Sequence, residues 1–218
     1  MKEYKINLKL CSNTLIGSGE GFGAIIDSDI VFDDSGIPFI PSKRIKGCLR
    51  SSAKEVIEML QEANVSYFSN SNIVTDIFGI PGMAESAPVY FSNLFVSDYE
   101  TNKQWLEYLR QNYPNVISKD TIVEEFTSLR RQTTIEDGVA KAHSLRTIRV
   151  LKKDFEFEGN IQIENNDPEF ETLLVLACAN LKHIGTKRTR GLGEVKCELN
   201  GPMLNSILDS IKKFQGAA

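Results

Sequence analysis

The sequence is poor in the side chains that most often hold metals. Only two histidines, His143 and His183, occur in 218 residues, and the four cysteines, Cys11, Cys48, Cys178 and Cys197, form no Cys-x-x-Cys pair. A structural zinc site needs four such ligands at paired spacings. The cysteines are therefore expected as reduced thiols packed in the interior. No stretch approaches the roughly 18 apolar residues of a membrane-spanning helix. The opening segment, Met1 to Leu15, lacks the apolar centre of a signal peptide. The expected location is the cytoplasm, with no membrane partner.

An excess of positive charge is also missing: 25 Lys and Arg stand against 29 Asp and Glu, a net charge of -4. Phosphate binding draws on Lys and Arg, so any polyanion site must be local. Two islands qualify. Ser35 to Lys54 holds five basic residues, Lys43, Arg44, Lys46, Arg50 and Lys54, and no acid. Lys182, Lys187, Arg188, Arg190 and Lys196 meet only Glu194. A specific polyanion track on an otherwise acidic protein fits this distribution.

Hydrophobic residues at 41% and charged residues at 25% are globular values, and the length suits one domain spanning residues 1–218. The alternation of Lys5 to Leu10 predicts a strand. Ile16 to Gly23, with four glycines, predicts a flexible loop or a closely approached strand edge. Pro41-Ser42 opens a helix, with Ser42 as its expected cap and Ile45, Leu49, Ser52, Val56, Leu60 and Ala63 facing the core. Lys43, Gly47, Arg50 and Lys54 then form a basic ridge, and the cations crowding its first turn oppose the helix dipole unless an anion sits there.

Tyr67 to Gly82 reads as a connection, Val89 to Val96 as a strand, and Trp105 to Arg110 as a short helix. Lys119 to His143 reads as a long loop or hairpin. Two strands are expected around Lys152-Lys153-Asp154, a helix from Pro168 ending near His183, and a last strand from Glu194 to Leu199. This order is that of an α+β, ferredoxin-like (RRM-like) βαββαβ core with inserted loops. The core would take in about 4–63, 88–97 and 145–199, and the insertions about 64–87 and 98–144.

Two segments carry the functional reading. One is Gly36-Ile37-Pro38-Phe39-Ile40-Pro41-Ser42-Lys43-Arg44-Ile45-Lys46-Gly47-Cys48-Leu49-Arg50, where prolines fix an extended lead into the basic helix. The other is Gly185-Thr186-Lys187-Arg188-Thr189-Arg190-Gly191-Leu192-Gly193-Glu194-Val195, a loop whose glycines let backbone amides approach phosphates. Together, in this order, they resemble the RAMP (repeat-associated mysterious protein) superfamily of CRISPR proteins. There a segment ending Ile-Pro-Gly-Ser-Ser-Leu-Lys-Gly-x-x-Arg precedes a basic helix, and a C-terminal glycine-rich loop carries arginines. Ser42-Lys43-Arg44 departs from Gly-Ser-Ser and looks like the variant of type III-D systems.

The resemblance implies a CRISPR RNA-binding subunit of a type III effector complex, with guide RNA, complementary target RNA and other RAMP subunits as partners. The expected RNA contacts are Ser42, Lys43, Arg44, Lys46, Arg50, Lys54, Gly185, Lys187, Arg188, Arg190, Gly191 and Gly193. Arg130, Arg131 and Lys141 join them from Ser128 to Arg146, a stretch similar to the family's thumb-like hairpin, with Ile135 or Val139 as an apolar wedge. An Asp before the Ile-Pro motif cuts target RNA in the family's type III backbone subunits. Asp27 matches best and Asp29 is the alternative, with Mg²⁺ or Mn²⁺ as the metal if one is used. A 5′-handle-capping subunit and a stand-alone guide-processing ribonuclease are the rivals, and His143 lies in the basic hairpin, outside any matching motif.

Overall fold

The computed structural model describes residues 1–17, 26–80, 82, 87–165 and 167–215, apart from the side chains of Thr189, Phe214 and Gln215. In chain order the elements begin β1 (Lys2–Leu10), β2 (Phe39–Ile40), α1 (Ser42–Glu62), α2 (Ile73–Phe78), β3 (Val89–Phe91), β4 (Leu94–Val96), α3 (Tyr99–Asn112) and α4 (Lys119–Phe126). They continue β5 (Thr127–Gln132), β6 (Ile135–Glu136), β7 (Val139–Ala140), β8 (Arg146–Leu151), β9 (Glu156–Ile163), α5 (Pro168–Asn180), β10 (Val195–Leu199) and α6 (Leu204–Gln215).

β1 buries Tyr4, Ile6, Leu8 and Leu10 and exposes the residues between them, the period of a half-buried strand. It lies at the centre of an antiparallel sheet, with Leu8 opposite Cys197 of β10 on one side and Phe157 of β9 on the other. β3 and β4 pair with the far edge of β9, and β2 pairs with β4. The order β10-β1-β9-β3/β4, with α1 and α5 as the crossover helices, is the ferredoxin-like arrangement. α1 presents Ile45, Leu49, Ala53 and Val56 to the core, and α5 presents Leu173, Leu174, Ala177 and Cys178. Where the two helices meet, the buried Ser52 hydroxyl donates to the Ala177 carbonyl at 2.8 Å, so the polar group within the apolar stripe is satisfied.

Several local expectations change. Ser42 is the first residue of α1 and does not cap it; the Ser42 N–H donates to Asn93 Oδ1 at 2.9 Å, so the cap comes from 51 residues away. Val89 to Val96 is broken at Ser92-Asn93, where the Ser92 hydroxyl accepts from the Asn160 N–H at 2.8 Å. α2 forms within the connection from Tyr67 to Gly82, and α3 is longer than the short helix expected. Lys119 to His143 starts as a helix, α4, capped by Ser118 accepting from the Thr121 N–H. The helix opened by Pro168 ends at Asn180, and His183 instead bridges to Glu194. Because Asn93 supplies the cap of α1, Asn93→Ala should cost about 1 kcal/mol, read as a Tm drop of about 2–4 °C with the sheet retained.

β8 leaves the central sheet to pair with β5, in register from Thr127 opposite Leu151 to Gln132 opposite Arg146. Its Ile148, Val150 and Leu151 nevertheless belong to the same core. Beyond this ribbon, β6 and β7 form a hairpin turned by Asp137 and Gly138, at φ 49° and 80°. Positive φ at both turn residues matches the type I′ turn that Asp-Gly favours. The ribbon and hairpin together make the thumb. No helix among the described residues is long and apolar enough to cross a membrane.

Candidate nucleic-acid interface

The open face of the sheet is the first place to look for RNA on a fold of this kind, and its chemistry argues against it. Lys5 pairs with Glu158 at 2.6 Å, Lys9 with Glu156 at 2.9 Å and Lys196 with Glu198 at 2.6 Å. Pairing with Lys5 pulls the Glu158 carboxyl below its usual range, outweighing the opposing effect of burial. Exposed pairs of this kind add little stability, but they neutralise the cations a phosphate would need.

The basic islands converge elsewhere. A cleft of about 680 Å³ is lined by Lys43 and Arg44 from α1, by Gly185, Thr186 and Arg188 from the loop before β10, and by Asp27, Ser28 and Asp29. Arg44 donates to the Gly17 carbonyl at 3.2 Å, and the Thr186 N–H donates to the Leu15 carbonyl at 3.0 Å, so both walls are fixed to the segment after β1. Cys48 sits between them. Burial pushes its thiol up, opposed by the Gly185 backbone and by the Arg188 and Arg44 guanidiniums. A thiol held mainly in its neutral form is a poor nucleophile, so this cysteine is packing, not chemistry.

The loop places its cations by a tight backbone. Lys187 has φ 59° and Gly191 φ 70°, on either side of a 3₁₀ turn over Arg188–Arg190. The Lys187 ammonium donates to Gln132 Oε1, at the end of the β5–β8 ribbon nearest the hairpin, at 2.6 Å. Burial pushes Lys187 below the ordinary lysine value, Arg190 and Arg146 act the same way, and Asp27 opposes them. Mutual repulsion among three cations is relieved by a polyanion, as for the crowded first turn of α1.

The other expected contacts are dispersed. Lys46 turns to a smaller hollow beside Phe91, its ammonium 5.9 Å from the ring centroid. Arg50 is half-buried and its Nε has no hydrogen-bond partner among the described residues, while Lys54 is exposed farther along α1. Arg130 and Arg131 are exposed on β5, whereas Lys141 is paired with Glu136 at 2.7 Å. Ile135 and Val139, 67% and 70% exposed, form the apolar tip of the thumb. Gly191 faces open space, but a Cβ on Gly185 would run into the Leu15 carbonyl oxygen and one on Gly193 into that of Ile184. Backbone packing therefore accounts for glycine at 185 and 193. Gly19, Gly21 and Gly23 of the first glycine-rich stretch lie outside the described residues, as does the Thr189 side chain.

The two candidate carboxylates differ sharply. Asp27 is exposed and accepts from the Thr147 N–H at 2.7 Å, while its own N–H donates to the Thr147 carbonyl at 2.8 Å. Asp29 is 8% exposed; its Oδ2 accepts from Arg149 at 2.9 Å and its Oδ1 from the Ile30 N–H at 2.8 Å. The Arg149 guanidinium also lies 5.8 Å from the Phe32 ring centroid. Asp29 thus holds the segment to the thumb, and Asp27 is presented to the cleft. Thr147 and Arg149, which make this anchorage, escaped the sequence reading because pairing across 120 residues has no local sign.

Among the described residues, no group of three or more His, Cys, Asp or Glu side chains is arranged to hold a metal ion. Mg²⁺ and Mn²⁺ prefer several oxygen ligands, and among the described residues Asp29 is committed to Arg149.

Comparison with known proteins agrees with the fold. No curated protein matches the sequence. Among solved structures, a chain of type III-B Cmr-beta bound to cognate target RNA superposes with a TM-score of 0.63 at 13% identity, covering 98% of this chain and 99% of that one. A chain of apo type III-B Cmr-beta gives a TM-score of 0.61 at 12% identity, covering 90% and 96%. The model of the RAMP superfamily matches residues 7–196, a span that includes α1, the thumb and the glycine-rich loop, and the chain belongs to the RAMP superfamily.

Proposed function

We propose that this chain is a CRISPR RNA-binding subunit of a type III effector complex, acting in the cytoplasm in antiviral defence beside other RAMP subunits. The single observation that carries this is the convergence of the first turn of α1 and the loop at Gly185 on one cleft, with Asp27 on its wall. Lys43, Arg44 and Arg188 hold guide phosphates there. The thumb, with exposed Ile135 and Val139 at its tip, wedges between guide and target bases. The similarity to a chain of type III-B Cmr-beta bound to cognate target RNA supports the same reading.

Asp27 gives the subunit a cutting activity on the target strand. RNA supplies its own nucleophile, so one carboxylate beside a distorted nucleotide can act as the base that takes the proton from the 2′-OH, with the thumb providing the alignment.

Combining Lys43→Ala, Arg44→Ala and Arg188→Ala should weaken RNA binding equally for all sequences. It should also flatten the log-log salt dependence by about 0.7 per lost single-strand phosphate contact. An unchanged slope in a filter-binding titration would take the cleft off the RNA path. Sequencing of RNA co-purified from the host tests the assembly: repeat-derived guides are expected, and their absence would sink the CRISPR reading.

A further inference from the structure

A strand cut through its 2′-OH needs a second group, one that protonates the departing 5′-oxygen. We propose that Lys187 is this general acid, acting across the scissile phosphate from Asp27; the inference rests on the reading of Asp27 as the base. Both residues are anchored on neighbouring rungs of the thumb ribbon. Asp27 is bonded through its backbone and carboxylate to Thr147. Lys187 is bonded to Gln132, the cross-strand partner of Arg146, which is the residue next to Thr147. The left-handed backbone at Lys187, φ 59°, fixes where its side chain leaves the loop, a conformation a non-glycine residue keeps only when its surroundings enforce it.

The surroundings suit proton donation. Facing the ammonium are Arg190 of its own loop, Arg146 of β8, Gln132 of β5 and Asp27. Burial, then the two guanidiniums, make Lys187 release its proton more readily than an ordinary lysine, which is how buried lysines become useful acids. The arginines cannot substitute, because a guanidinium does not give up its proton in proteins. His183 lines the cleft with its backbone bridged to Glu194, and Lys187 lies between the cleft-lining Thr186 and Arg188.

The step balances without a co-reactant. The 2′-OH proton passes to Asp27 as the 2′-oxygen bonds to phosphorus. The bond from phosphorus to the 5′-oxygen breaks, and Lys187 gives that oxygen a proton. The products are a 2′,3′-cyclic phosphate and a 5′-OH, and exchange with water resets both side chains.

The test uses the assembled complex with guide and two target RNAs, one normal and one with sulfur in place of the scissile 5′-oxygen. A thiolate leaves without being protonated, so the sulfur substrate bypasses the acid and not the base. Lys187→Arg keeps the charge and should bind guide with the parent's salt slope. It should cut the normal target about 100-fold or more slowly, lose the alkaline fall in rate, and cut the sulfur target as the parent does. Asp27→Asn should stay slow on both. Normal cutting by Lys187→Arg, or no rescue by sulfur, overturns the role of Lys187 and leaves Asp27 standing. The same pattern of loss and rescue in His183→Gln, with Lys187→Arg normal, moves the role to His183. No cutting by the parent overturns this inference and the Asp27 reading together.

Discussion

Gly193→Val should destabilise the fold, not merely loosen its hold on RNA. Gly193 has φ 80°, its carbonyl accepts from the Ile184 N–H at 2.8 Å and its N–H donates to the Asn13 carbonyl at 3.0 Å. An added Cβ would be driven into the Ile184 carbonyl oxygen, backbone that cannot swing aside. The left-handed conformation alone costs a side chain about 1–2 kcal/mol, and overpacking adds about 1–3 kcal/mol. Against a total stability of about 5–15 kcal/mol, a Tm drop of about 5–20 °C is expected in a chain of this size. Gly191 supplies the contrast: its φ is 70° but its missing Cβ faces open space. Gly191→Ala should therefore cost only the conformational part. If Gly193→Val melts like the parent and its folded form has lost RNA, the glycine serves a phosphate and not the fold.

That pair of residues marks where sequence reading reaches its limit. Glycines at 185, 191 and 193 look alike in a list of residues, yet one sits in the open and two lie against carbonyl oxygens. The distinction is made at Gly185 by Leu15, 170 residues away, and at Gly193 by Ile184, nine residues before it. What was legible was periodic or compositional: the alternation of β1, the apolar stripe of α1, Pro168 opening α5, and the two basic islands, each of which lends cations to one cleft. What was not legible depended on partners distant in sequence. Asn93 caps α1 in place of Ser42, and β8 pairs with β5 while the strands around it stay in the main sheet. α4 has eight residues and α2 six, too short for periodicity to outweigh their polar flanks.

Asp27 and Asp29 looked interchangeable by the same logic, and their variants should now fail in different ways. Asp27→Asn keeps an oxygen for the Thr147 N–H, so the fold, guide binding and assembly should be those of the parent. Removing a negative charge from a phosphate-rich cleft should if anything strengthen binding slightly. Cutting should fall about 10²–10⁴-fold, the usual worth of a positioned base. Asp29→Asn leaves the Arg149 guanidinium, whose side chain is 19% exposed, without its charged partner. Losing a charge-assisted hydrogen bond costs about 1.5–3 kcal/mol. Its Tm should fall, while each molecule that remains folded should cut at close to the parent's rate. The measurement is single-turnover cleavage of a labelled complementary RNA, normalised to folded complex, beside thermal melts of both variants. Cutting that survives Asp27→Asn but disappears in a folded Asp29→Asn would exchange the two roles, making the buried ion pair with Arg149 the chemical centre and the exposed carboxylate the anchor.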